Sequence, residues 1–373
     1  MLRPAALLLL LLITGCDSEP PAQAPPLRVD QAMGAAPLPG FARAERPQAF
    51  RFPQDHGPHP AYATEWWYLT GNLQSADGRT FGYQFTLFRI GLKPEAPVQD
   101  SAWRSHQIYM GHVAISDVQS ASHHSAQRLA RAAAGLAGAQ PAPLAVWLGP
   151  WSLQGEGAPF PLKLSADAGD FALSLQLQAG DKPMVLQGDQ GLSRKSAEPG
   201  NASYYYSFTR LPTRGELRIG DRSYAVAGNS WLDREWSSSA LAEDQAGWDW
   251  FALQLADGRE LMFYRLRDKQ GMAHPFSSGV LVARDGETRK LTSANIELSP
   301  QRFWRAPDGA RYPVAWRLAV PDEGLDLRVE AMFDDQLMDH AVRYWEGAVR
   351  VSGSHAGKGY LELSGYQAAD GKR

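Results

Sequence analysis

Twice in this chain a Trp-rich run leads into Ala-Asp-Gly-Arg and then into an alternating apolar run. The first copy passes from Trp66-Trp67-Tyr68 through Leu73 to Ala76-Asp77-Gly78-Arg79 and on to Phe81 and Arg89. The second passes from Trp248-Asp249-Trp250-Phe251 through Leu255 to Ala256-Asp257-Gly258-Arg259 and on to Leu261 and Arg267. Asp-Gly between two such runs is a hairpin signal, because the tight turns that match strand twist need positive φ at their centre. A Trp-rich hairpin in each half points to two related β units, split near residue 240.

The rest of the chain keeps the same grammar. Phe171, Leu173, Leu175 and Leu177 alternate with Ala172, Ser174 and Gln176, and Leu325, Leu327 and Val329 alternate with Asp326, Arg328 and Glu330. Such period-two runs are half-buried strands. Turn signals recur at Gly149-Pro150, Gly220-Asp221, Asp285-Gly286 and Asp308-Gly309. Residues 121–140 are Ala-rich and read as a short helix or an excursion between strands. With 44% apolar residues to fill cores, the expectation is an all-β protein of barrels or sandwiches.

The N-terminus fixes an expected compartment. Arg3 precedes the apolar run from Ala5 to Ile13, which is too short to span a bilayer. Ile13-Thr14-Gly15-Cys16 then matches the lipobox of bacterial lipoproteins. Residues 1–15 are thus expected to be a signal peptide and Cys16 a lipid-modified first residue. Residues 16–48, rich in Pro and Ala, would be a tether. Cys16 is the single cysteine, so its acylation leaves no thiol for other work. Asp17 resembles an inner-membrane retention signal, giving an expected place on the inner membrane, facing the periplasm. A formal net charge of -3 without basic runs argues against nucleic acid as a partner.

Candidate chemistry concentrates in Gly228-Asn229-Ser230-Trp231-Leu232-Asp233-Arg234-Glu235-Trp236-Ser237-Ser238-Ser239. On an extended strand Trp231, Asp233 and Glu235 share one face, and Leu232, Arg234 and Trp236 the other. Two carboxylates about 7 Å apart on one face repel. In a dry setting one of them is held protonated near neutral pH. The alternative is a domain junction whose acids pair with Arg234 and neighbouring bases. On the first hairpin, Trp66, Tyr68 and Thr70 share a face opposite Glu65, Trp67 and Leu69. Glu65 beside two indoles is a candidate for the ligand site or for an ion pair with Arg89. Tyr204 and Tyr206 are further aromatic candidates, and His112 is a strand histidine readable as core or as ligand contact. His56 and His59 lack a near third partner, so no metal site is expected.

These passages resemble the AttH-type "predicted secreted hydrolase" family, which is related to carotenoid 1,2-hydratases (hydroxyneurosporene synthases). The resemblance rests on Glu65-Trp66-Trp67-Tyr68-Leu69-Thr70-Gly71-Asn72-Leu73, Gly82 to Arg89, Gly111-His112, Ser230 to Trp236 and the closing Gly359 to Tyr366, and covers roughly residues 47–368. It implies two lipocalin-like β-barrel domains packed together, here 49–240 and 241–373, with an apolar cavity near their junction. It also implies that Asp233 stands where the hydratases carry their catalytic acid, with Trp231 beside it. Arg234-Glu235 departs from the neutral polar residues usual there.

Two functions follow as expectations. One is a cofactor-free hydratase or isomerase of an apolar, polyene or lipid-like substrate. Its catalytic residues would be Asp233 and Glu235, and its substrate contacts Trp231, Trp236, Glu65, Trp66, Trp67, Tyr204, Tyr206 and His112. The other is a non-catalytic carrier of an apolar ligand, with an ABC-type membrane transporter as candidate partner. No Gly-x-Ser-x-Gly elbow, phosphate loop or zinc motif is present. The lipobox reading has its own check: cells fed radiolabelled fatty acid are expected to label the full chain, and Cys16→Ser to remove the label entirely.

Overall fold

The structure is a computed structural model that describes residues 39–94, 101–239 and 241–366. The expected signal peptide and the lipid-modified Cys16 lie outside these residues. Within the stretch expected to be tether, Phe41 and Ala44 are buried.

Thirteen strands form one sheet. They are β1 (Thr64–Ser75), β2 (Thr80–Gly91), β3 (Gln107–Asp117), β4 (Ser122–Arg131), β5 (Ala137–Pro141), β6 (Leu144–Leu148), β7 (Trp151–Gly155), β8 (Leu162–Asp167), β9 (Phe171–Leu177), β10 (Val185–Leu186), β11 (Leu192–Arg194), β12 (Ala202–Ile219) and β13 (Arg222–Ser237). Ten more form a second: β14 (Gln245–Leu255), β15 (Glu260–Asp268), β16 (Ser278–Val282), β17 (Thr288–Thr292), β18 (Glu297–Arg305), β19 (Arg311–Val320), β20 (Leu325–Ala331), β21 (Leu337–Asp339), β22 (Arg343–Gly353) and β23 (Gly357–Leu363). The first sheet nearly closes into a barrel and the second forms a half-barrel.

The spatial orders are β4-β3-β2-β1-β13-β12-β9-β8-β7-β6-β5 and β17-β16-β15-β14-β23-β22-β20-β19-β18. In each unit four strands meander outward and the first strand pairs with the last. The hairpins that begin the two units are β1–β2 and β14–β15, the two Trp-rich copies seen in the sequence.

Each barrel interior is filled with side chains. Trp67, Leu69, Phe81, Phe85, Trp151 and Leu232 belong to the first core, and Phe251, Phe263, Trp316, Trp345 and Leu361 to the second. The opposite faces of the same strands pack the units together, with Tyr68, Tyr205 and Trp231 from the first against Trp250, Met262 and Tyr360 from the second. β1, β14, most of β23 and residues 230–237 of β13 are thus buried on both faces, which explains why aromatic and apolar residues stand on both sides of them.

Residues 121–140 hold no helix. They form β4 and β5, because β4 pairs with β3 along its whole length and Ala126 and Ala130 pack on the first core. Tertiary pairing overrides the alanine propensity.

A charged cluster lies on the inner side of β1 and β13. Glu65 is fully buried and ion-paired to both Arg89 and Arg234. The Arg234 guanidinium lies 3.8 Å over the Trp67 ring, and His59 stacks on Trp236 at 3.7 Å. Burial alone would raise the Glu65 pKa, but Arg234 and Arg89 offset it and hold the carboxyl well below its usual range. A depressed folded-state value contributes stability that is complete above the unfolded value of about 4.3 and is lost as pH falls toward the folded value. Glu65→Gln is expected to destabilise the fold by about 3–5 kcal/mol near neutral pH, as loss of one partner from a buried ion pair does. Urea unfolding should show the deficit shrinking as pH drops below about 4.

Candidate active site

β1 and β13 run antiparallel, with Trp66 opposite Glu235 and Tyr68 opposite Asp233. Period two sends these four side chains to the outer face of the first barrel, against the second unit. There they border a cavity of about 140 Å³ between the units. The first unit also contributes Thr86, Phe88, Ser203 and Tyr205, and the second contributes Trp248, Trp250, Tyr264, Leu266, Tyr344 and Glu362.

Asp233 is the best-supported acid in this space. Its Oδ1 accepts from Trp231 Nε1 and Ser207 Oγ, both at 2.6 Å. Its Oδ2 accepts from Tyr205 Oη at 2.5 Å, and Tyr205 in turn accepts from Trp250 Nε1 at 3.2 Å. Burial pushes the Asp233 pKa up to about 7; the three donors lower it only in part, and Glu235 adds repulsion. No base forms an ion pair with Asp233 among the described residues.

Glu362 faces the same cavity from β23, and its Oε1 accepts from Trp248 Nε1 at 2.6 Å. Burial raises it to about 7, with Asp233 and Glu235 adding to the rise. Its cross-strand neighbour Glu346, which accepts from Tyr68 Oη, is pushed well above its ordinary value by burial and by Glu362. Glu235 differs from these three because it has a cation: Lys195 Nζ lies 3.2 Å from its Oε1 and 4.2 Å from the centre of the Tyr264 ring. Burial lowers the Lys195 pKa, but Glu235 and Tyr264 outweigh it and hold it above its ordinary value. Ser203 donates to the same Glu235 oxygen.

The cavity therefore has two ends. Asp233 and Glu362 sit among indole, phenol and phenyl faces, and Glu235 and Lys195 form a charged pair beside Ser203, Ser237 and Ser239. A carboxylic acid poised near neutrality among aromatic faces can donate a proton to an apolar substrate, and a second can accept one.

Of the residues expected at the site, Asp233, Glu235 and Trp66 line the cavity, and Trp231 holds Asp233 from behind. His112 lies behind the wall, with its Nδ1 2.8 Å from Tyr344 Oη. Five others stand elsewhere. Glu65, Trp67 and Trp236 point to the opposite face, into the charged cluster. Tyr204 and Tyr206 pack with Trp236 there, where Tyr206 Oη lies 2.7 Å from His56 Nδ1. The tyrosine at the cavity is Tyr205, set by its pairing opposite Glu235. Lys195, Trp248, Trp250, Tyr264 and Glu362 were not among the expected site residues. For Trp248 and Trp250 the one sequence signal was the echo of Trp66-Trp67-Tyr68 in Trp248-Asp249-Trp250.

An AttH-like family model matches residues 43–366. An AttH from Nitrosomonas europaea is similar at 34% identity over 88% of this chain and 100% of its own, with a TM-score of 0.79. Kievitone hydratase from Nectria haematococca shares the fold at 15% identity, covering 88% of this chain and 98% of its own, with a TM-score of 0.64. CghA with Sch210972 does so at 14% identity, covering 92% and 98%, with a TM-score of 0.55. No curated protein matches the chain.

The raised acids have a signature in stability. Where the folded state holds a proton that the unfolded chain has released, stability falls with rising pH. For Asp233 and Glu362 the loss begins near the unfolded value of about 4 and ends above their folded values of about 7. Asp233→Asn and Glu362→Gln cannot ionise. Their stability relative to wild type is expected to improve as pH rises from about 4 to about 8, measured by urea unfolding. A gap independent of pH would mean these carboxyls keep ordinary values.

Proposed function

This chain belongs to the AttH-like family, and we propose that it is a cofactor-free hydratase of an unsaturated apolar compound, held by a lipid anchor at Cys16 and facing the periplasm. The observation that carries the reading is the pairing of Asp233 and Glu362, two carboxyls at about 7 across one aromatic cavity. At neutral pH such a pair shares its protons, so that one acid and one base are present together.

In the forward direction protonated Asp233 gives its proton to one carbon of a carbon–carbon double bond. The π electrons form the new C–H bond and leave a cation on the other carbon. The faces of Trp66, Trp248 and Trp250 stabilise that cation through their quadrupoles without bonding to it. Water attacks the cation and loses a proton to Glu362. The proton then returns across the cavity to Asp233, so the acid pair is restored and the sum is alkene plus water to alcohol. Tyr205, Ser207 and Trp231 hold Asp233 in place, and their three hydrogen bonds stabilise the carboxylate left after proton transfer. Glu235, neutralised by Lys195, serves the polar end and takes no part in the proton transfer.

Extraction of apolar material from purified protein, read by mass spectrometry, tests the reading. Wild type is expected to carry an alcohol or nothing, and folded Asp233→Asn to accumulate the corresponding alkene, lighter by one water. Identical contents in the two proteins would end the hydratase reading and leave a carrier. With the substrate so identified, turnover is expected to peak near pH 7 and to fall on both sides, as the base protonates below and the acid ionises above.

A further inference from the structure

We propose that the end of the first barrel around Trp103 docks on the surface of an anionic lipid bilayer. Four large apolar side chains stand exposed there: Leu92 at 45%, Trp103 at 67%, Leu129 at 64% and Leu136 at 46%. Backbone hydrogen bonds tie their segments into one surface. Leu92 N donates to His106 O at 2.8 Å, Ala134 N to Ala102 O at 2.8 Å, and Ala132 N to Gln107 O at 3.0 Å. Leu129 lies on β4, the edge strand of the sheet, and Arg131 on the same strand reaches Ser105 O at 3.3 Å. Exposed apolar groups gathered at one end, with an indole foremost, are what an interfacial contact needs.

The charge is of the matching sign. Between residues 101 and 155 the sequence has one acid, Asp117. It lies at the far end of β3 and is bound by Arg79. Lys93, Arg128 and Arg131 are exposed on the same end as Trp103. Glu95 and Asp100 fall outside the described residues. Basic groups within a Debye length of an anionic leaflet each add about five-fold to affinity.

The course of the chain supplies a separate argument for a membrane as the occupant. The described residues start at Pro39, and a Cβ on Gly40 would stand 2.9 Å from Pro94, two residues past Leu92. Phe41 lies against Gly91, the last residue of β2. The described chain therefore begins at this end of the body, and the lipid anchor proposed at Cys16 precedes it in sequence. Docking here also serves the cavity. Phe88 lines it, and Leu92 follows four residues later, roughly 13 Å along at strand spacing. An apolar substrate drawn from the bilayer would have a short path.

The experiment uses the full-length chain with vesicles of phosphatidylcholine, with and without phosphatidylglycerol whose acyl chains carry bromine. Bromine quenches indole emission only on close approach. Quenching is expected with phosphatidylglycerol present, lost in Trp103→Ser, and reduced by Lys93→Gln with Arg131→Gln, about five-fold in docking equilibrium per charge. These residues are exposed, so the circular dichroism of the variants should match wild type. Quenching unchanged in Trp103→Ser, or equal quenching by brominated phosphatidylcholine alone, overturns the proposal. So does a dimer in solution that buries Trp103 in place of lipid. Because no outcome depends on turnover, failure here leaves the hydratase reading standing, and failure of that reading leaves this one.

Discussion

Residues 230–237 of β13 are buried on both faces, so each charged side chain there must be matched or neutralised. Taking a carboxylate out of water costs several kcal/mol. On the inner face the fold meets that cost with arginine: Arg234 and Arg89 flank Glu65, and the acid stays ionised. On the outer face Asp233 receives three hydrogen bonds and no cation. Three neutral donors do not offset complete burial, and its pKa rises to about 7. One period-two strand thus carries the arginine of a structural ion cluster on one side and a poised acid on the other. A slip of a single residue in the β1–β13 register would exchange the two sets.

That alternation is also why the site was partly legible in the sequence. An extended reading of residues 229–237 puts Asp233 with Glu235 and Arg234 with Trp236, and both pairs are where period two sends them. What a single strand cannot state is which side becomes barrel interior. For Glu65-Trp66-Trp67-Tyr68 and for Tyr204-Tyr205-Tyr206 every position is aromatic or charged, so no polar face marks the outside. The pairings Tyr205 with Glu235 and Tyr68 with Asp233 decide it, and pairings are long-range facts. Glu362 was hidden for a related reason. It sits in Gly-Tyr-Leu-Glu-Leu, which reads as one polar residue on an otherwise half-buried strand, and more than a hundred residues separate it from Asp233.

The repeated hairpin is the level at which the two acids become one site. Each unit closes its meander by pairing its first strand with its last, β1 with β13 and β14 with β23. In each the last strand carries the raised acid and the first strand the indoles. Packing the two units outer face to outer face brings these paired strands together, and Asp233 then adds to the rise of Glu362. Neither unit could do this alone, since its outer face would be wet and its carboxyl ordinary.

The same packing bears on what the site can hold. A lipocalin-type carrier keeps its ligand inside a barrel, but here the two interiors are packed with Trp, Phe and Leu side chains. Space is left instead at the junction, about 140 Å³, close to the volume of an apolar cavity that admits one benzene-sized ring. A long polyene is larger than that enclosed space. A substrate of the proposed kind would place a short unsaturated end between Asp233 and Glu362 and leave the remainder outside, or be small. The first case separates binding from chemistry, because the cavity would select the reacting group while the rest of the molecule lay outside it.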